Sequence, residues 1–156
     1  MPTYPRAWFI TWTTYGTWLH GDPRGSFLDS TYVPPDLALE ETNRAQLTDD
    51  AVYLTDHQRA IVDASLVDAC LAQGWEPHAR NVRTNHVHLL VSAGRAGTFV
   101  RSRLKALASK ALSDDAGLPA AGDDGRKRWR TEKGNIIPVE DEKSLEGLTV
   151  YVRDLQ

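Results

Sequence analysis

At 156 residues the chain has the length of one ordinary domain and is too short for two with cores of comfortable size. Apolar residues make up 41% and charged residues 25%, and there is one cysteine, Cys70; this balance excludes disordered and membrane-embedded classes, a disulfide framework and a cysteine-based zinc cluster. The formal charge is −3, from 18 Lys and Arg against 21 Asp and Glu, which taken as a total argues against a partner as acidic as nucleic acid.

In chain order, the opening residues Met1–Ile10 alternate polar and aromatic side chains, without the charged start and apolar stretch of a signal peptide, so a cytoplasmic protein with no membrane partner is expected. Residues 7–14, AWFITWTT, are aromatic and β-branched throughout and predict a strand. Residues 15–54 hold Gly16, Gly21, Pro23, Gly25 and the Pro34-Pro35 pair with little periodicity, and read as a long loop or insertion within a single domain spanning 1–156. Thr55-Asp-His-Gln58 has the form of a capping box, followed by Ile61, Ala64, Val67, Cys70 and Leu71 at helical spacing and by Gly74 as a stop. Residues 75–83 and 86–92 predict two strands joined tightly around Thr84-Asn85, the second central because it is almost continuously apolar.

Past Gly94 and Gly97, Val100, Leu104, Leu107, Ala108 and Ala111 lie on one stripe of a second helix over 98–113. A breaker region over 114–125 leads through the basic run at 126–130 and Gly134-Asn135 to a fourth strand or short hairpin at 136–139. Leu145, Leu148, Val152 and Leu155 then define a helix over 143–155, with Tyr151 beside the stripe. The order β-α-β-β-α-β plus a helix predicts an α+β, ferredoxin-like fold: a four-stranded antiparallel sheet, helices on one face, and a C-terminal helix carrying the tyrosine.

Charge follows this order unevenly. Residues 1–79 carry 4 basic and 11 acidic side chains, residues 80–133 carry 12 and 5, and residues 134–156 carry 2 and 5, so a basic middle sits between acidic ends. Folding can gather that middle into one positive face, although basic residues along helices are as often simply solvated.

The sharpest local pattern is Asn85-His-Val-His-Leu-Leu90. On a strand, His86 and His88 point to the same side, close enough to share a metal ion, while Val87 and Leu89 point to the other layer. Two histidines equally line an exposed sheet face, and a metal site needs a third donor, for which the last helix offers Asp154 and Gln156. Tyr151 reads either as a half-buried helix-edge residue or as a nucleophile, since a phenol, which ionises near about 10, attacks phosphorus when its surroundings favour the phenolate.

Three motifs occur together and in order: WFITWTTYGTWL at 8–19, NHVHLLV at 85–91 and the closing YVRDLQ at 151–156. The whole chain thereby resembles the HUH-type single-tyrosine transposases, and within them the REP-associated tyrosine transposase-like proteins with an extended segment of the form YGTWLxGDPRG, here residues 15–25. The resemblance implies single-stranded DNA nicking and strand transfer through a 5′-phosphotyrosine intermediate, with His86 and His88 binding a divalent cation, Mg²⁺ or Mn²⁺, and Tyr151 as the nucleophile. It also implies a hairpin-containing single-stranded DNA partner and a homodimer. The family's third ligand is commonly a glutamine about one turn after the tyrosine; here that position is Leu155, and Gln156 follows one residue late, so Asp154 and Gln156 both remain candidates. This departure supports an alternative, a domesticated relative that binds structured single-stranded DNA without cutting it.

A single strand is held by a positive groove and by rings that stack on bases. Arg80, Arg83, Arg101, Arg103, Lys105, Lys110, Arg126, Arg128 and Arg130 are candidates for the groove. Trp12, Tyr15, Trp18 and Trp129 are candidates for stacking, with core filling the competing role for Trp12.

Overall fold

The computed structural model describes residues 3–28, 31–48, 50–118, 129–130 and 134–154. In order, its elements are β1 (Ala7–Thr13), β2 (Ser26–Leu28), β3 (Thr31–Val33), α1 (Leu37–Ala45), α2 (Asp56–Gln73), β4 (Glu76–Val82), β5 (His86–Ser92), α3 (Gly97–Ala116), β6 (Asn135–Val139) and α4 (Glu142–Asp154). Four strands pair antiparallel in the order β4-β5-β1-β6, the split βαβ arrangement expected from the sequence. A separate two-stranded ribbon, β2-β3, lies in the 15–54 segment.

The period-2 alternation of the central strands separates two apolar layers. Ile10, Trp12, Val87, Leu89 and Val91 face α2 and α3 and form the larger core with Leu66, Cys70, Val100 and Leu104. Ala7, Leu90 and Val139 project from the other face and pack with Leu145 and Val152 of α4. The sheet is therefore covered on both sides, with α4 on the face that carries the even-numbered side chains of β5.

Local chemistry explains the element ends. Thr55 and Gln58 form the reciprocal capping box at the start of α2, and Gly74, in the left-handed conformation with φ 72°, ends it. The β4-β5 turn is closed by Arg83 N–H donating to the His86 carbonyl at 2.8 Å, with only Thr84 and Asn85 between them.

The 15–54 segment differs from the irregular loop expected. It contains the β2-β3 ribbon and α1, a helix capped by Asp36, whose Oδ1 accepts from Leu39 N–H at 3.1 Å. No residue of α1 is buried, and the helix lies in a segment whose glycines and prolines read as loop. The segment closes back on the β4-β5 turn: Leu54 N–H donates to the Thr84 carbonyl at 2.7 Å and Thr14 N–H to the Asn85 carbonyl at 2.9 Å. Among the described residues no helix is long and apolar enough to cross a membrane.

Candidate functional site

His86 and His88 stand two residues apart on β5, so both rings leave the sheet on the α4 side, edge to face with centroids 4.7 Å apart. His88 lies directly opposite Thr11 in the β1-β5 ladder, and the Thr11 hydroxyl is 3.0 Å from its Nδ1. His86 Nδ1 lies 2.8 Å from Asn85 Oδ1, an oxygen that can only accept, so the contact favours a proton on Nδ1. Phe9, two residues before Thr11 and so on the same face, stacks on His88 with centroids 5.6 Å apart and planes inclined by 22°. Burial, followed by the neighbouring His86 and Arg83 charges, pushes His88 down to about 4, so its ring is neutral at neutral pH.

Tyr151 reaches the same place from α4. Leu145, Leu148 and Val152 turn toward the sheet, which leaves Tyr151 on the helix flank, 43% exposed. Its ring meets His88 edge-on at 6.4 Å between centroids and Phe9 at 6.5 Å. The last turn of α4 is tied to the sheet by Asn81, the residue of β4 paired with His88, whose Nδ2 donates to the Val152 carbonyl at 3.0 Å.

On the far side of the pair, Trp18 meets His86 edge to face with centroids 6.3 Å apart. Arg24 lays its guanidinium 3.9 Å over the Trp18 ring. Asp22 grips Arg24 through Nε at 2.8 Å and Nη2 at 2.7 Å, and the Thr17 carbonyl also accepts from Nη2. That grip holds the Asp22 carboxyl below its ordinary value. Gly16, Gly21 and Gly25 all take positive φ, and at Gly21 a Cβ would fall on the Asp36 carbonyl oxygen and the Glu40 nitrogen, so this loop admits no side chain there.

Two imidazoles on one face, each engaged through Nδ1, fit a divalent cation as two of its ligands. The Asp154 carboxylate pairs with its exposed neighbour Arg153 at 2.9 and 2.8 Å, and among the described residues no three His, Cys, Asp or Glu side chains gather as a metal-holding group. Gln156 lies outside the described residues.

The basic residues divide in a way the charge count did not foresee. Lys105 is 1% exposed and Trp129 is 5% exposed with its indole N–H on Ser113, so both belong to the core and neither lines a groove. The reason is geometric, because Lys105 follows Leu104 onto the inner side of α3. Arg80 turns to α2 and pairs with Asp63 at 2.6 Å, Arg101 donates to the Gly134 carbonyl at 2.8 Å, and Lys110 pairs with Asp114. Arg103 is exposed on α3, on the side of the sheet opposite the histidines. Arg130 bridges to Thr14, and Arg126 and Arg128 lie outside the described residues. Arg83 is the basic candidate whose charge acts directly on His88. Of the proposed stacking rings, Trp12 is core, Tyr15 bonds Thr48, and Trp18 stands at the site.

Sequence reasoning did not single out Thr11, Phe9, Asn81 or Arg24 for this site. Thr11 and Phe9 were accessible by alternation along β1 once its register against β5 is known, whereas Asn81 and Arg24 depend on tertiary contacts.

No protein-family model matches the sequence, and no curated protein matches it. Among solved structures, the chain is similar to a REP-associated tyrosine transposase bound to a REP hairpin, with 12% identity and a TM-score of 0.52 over 97% of this chain and 67% of that one. It is likewise similar to a Deinococcus radiodurans protein described as a transposase, with 16% identity and a TM-score of 0.50 over 97% of this chain and 91% of that one. At these identities the likeness establishes one thing for this chain, that its fold is that of the two transposase structures.

Proposed function

We propose that this protein is a single-stranded DNA nicking and strand-joining enzyme of the transposase type, with Tyr151 as nucleophile and His86 and His88 as ligands of a divalent cation. The observation that carries this reading is the placement of Tyr151 beside His88 on the sheet face where His86 and His88 meet. A bound Mg²⁺ or Mn²⁺ would polarise the scissile phosphate and so lower the barrier to its attack. Two nitrogen donors suit manganese at least as well as magnesium.

In the proposed step the Tyr151 phenolic oxygen bonds to phosphorus as the bond from phosphorus to the 3′-oxygen breaks. The phenol's proton is lost to solvent or a base, and the departing 3′-oxygen takes up a proton to become a hydroxyl. The phosphate stays on the 5′-oxygen of the downstream nucleotide, now esterified to Tyr151, so the reverse attack by a 3′-hydroxyl rejoins a strand with no ATP. Thr11 and Asn85 hold the imidazoles, Asn81 holds the turn that presents Tyr151, and Phe9 backs His88. The hairpin in the similar transposase structure makes hairpin DNA the first substrate to try.

The test uses labelled single strands that contain a hairpin, incubated with Mn²⁺ or Mg²⁺. Wild type is expected to yield a denaturation-resistant protein-DNA adduct and Tyr151→Phe none; an adduct that persists in Tyr151→Phe overturns the assignment. The sequence position of Gln156, five residues after Tyr151 with Leu155 at the fourth, favours a second reading, a protein that holds structured single-stranded DNA without cutting it. That reading predicts salt-dependent binding and no adduct with either protein.

A further inference from the structure

The site has two ends. Along β5, Tyr151 and Phe9 contact His88, whereas Trp18, with Arg24 over it, contacts His86, nearer the Thr84-Asn85 turn. A nucleophile that enters at one end expels the leaving group toward the other, because displacement at phosphorus is in line, with the attacking and departing oxygens on opposite sides.

We infer that Trp18 and Arg24 form the subsite for the nucleotide on the 5′ side of the scissile phosphate, the one whose 3′-oxygen departs. This rests on the reading of Tyr151 as nucleophile.

The chemistry of the pair fits that occupant. An indole and a guanidinium plane both stack on bases of any identity, and the guanidinium adds positive charge for a phosphate. The Arg24 side chain remains 46% exposed although Asp22 and Thr17 take Nε and Nη2, and among the described residues no hydrogen bond engages Nη1. The platform is also rigid. Trp18 Nε1 donates to the Gly25 carbonyl at 2.8 Å, and Gly25 packs against the Tyr32 ring so closely that a Cβ would meet it at 2.6 Å. Asn43 of α1 donates to the His20 carbonyl at 3.1 Å, and Asp36 N–H donates to the next carbonyl, that of Gly21, at 2.9 Å. Within residues 16–25 Pro23 and Arg24 are the exposed positions, and this bracing fixes where the Arg24 guanidinium and the ring under it stand. It gives the β2-β3 ribbon and α1 a purpose, since they pin a stacking surface at the His86 end of the pair.

The test is photo-crosslinking with the full chain. The wild-type adduct first locates the scissile phosphate in a hairpin oligonucleotide. The same oligonucleotide carrying 5-iodouracil one position to the 5′ or the 3′ side is then irradiated with the Tyr151→Phe protein in EDTA, and the crosslinked peptide is identified by mass spectrometry. The 5′ probe is expected to mark Trp18, and the 3′ probe to mark residues other than Trp18. In parallel, Trp18→Leu is expected to weaken binding of the oligonucleotide about tenfold and Trp18→Phe, which keeps a ring, about threefold or less. A wild-type adduct together with crosslinks that avoid Trp18, or that reach it only from the 3′ probe, overturns the subsite and leaves the nicking function standing. No adduct from wild type removes the function itself, and the subsite with it.

Discussion

The hydroxyl of Thr11 lies 3.0 Å from Nδ1 of His88, straight across the β1-β5 ladder. A cross-strand pair thus sets the orientation of the imidazole nearest the tyrosine. Thr11→Val keeps the β-branched shape and removes the hydroxyl, so the sheet survives while His88 loses its orienting partner. Mn²⁺ affinity without DNA, followed by calorimetry, is expected to fall about tenfold or more, the usual effect of losing a partner behind a ligand. Unchanged affinity would show that Thr11 does not orient the ring.

His88 supplies a pH dependence of definite sign. Its ordinary value is 6.5, and burial, then His86 and Arg83, bring it down to about 4 in the fold. Between those values the unfolded chain binds a proton that the folded chain refuses, so stability rises with pH. The contribution of this group is whole above 6.5 and is lost as pH falls toward 4. NMR titration of the imidazole, without metal, is expected to find His88 neutral at pH 6; a midpoint near 6.5 would contradict the burial seen here.

Asn81 ties the last turn of α4 to β4 through the Val152 carbonyl. Asn81→Ala removes one hydrogen bond and is expected to cost about 1 kcal/mol. Because Tyr151 precedes Val152, the loss should also appear as faster amide exchange in the last turn of α4, with the α2 and α3 core unaffected. Equal exchange in both variants would mean that Leu145 and Val152 packing alone seats the helix.

The loop at 15–25 makes its own prediction. Gly21→Ala forces a Cβ into main-chain atoms of Asp36 and Glu40, at a residue with φ 95°, and neither neighbour can rotate away as a side chain would. A loss of about 2 kcal/mol or more is expected from denaturant unfolding. A cost under about 0.5 kcal/mol would indicate that the loop is not braced against α1.

Elements with a buried stripe or a strong stop were legible in the sequence. The capping box at Thr55, the stop at Gly74 and the apolar run at 86–92 led to α2 and β5 within a residue or two. His86, His88 and Tyr151 were placed on the right elements by alternation and helical spacing, and those elements bring them together. α1 was not legible because it lies in a segment whose glycines and prolines read as loop. Lys105 and Trp129 were misplaced because segment charge and aromatic content say nothing about which side of a helix or loop faces inward. Arg24 was hidden for the opposite reason: its role comes from Trp18 and Asp22, which only a folded loop brings under and beside it.

The central claim is that Tyr151 is the atom donor for a covalent bond to DNA at the His86-His88 pair. Proteolysis of the wild-type adduct formed with Mn²⁺, followed by mass spectrometry of the nucleotide-bearing peptide, tests it most directly. A phosphodiester mass on Tyr151 is expected, lost when His86 and His88 are both changed to alanine. A nucleotide carried by any other residue, or an adduct that survives loss of both histidines, would contradict it.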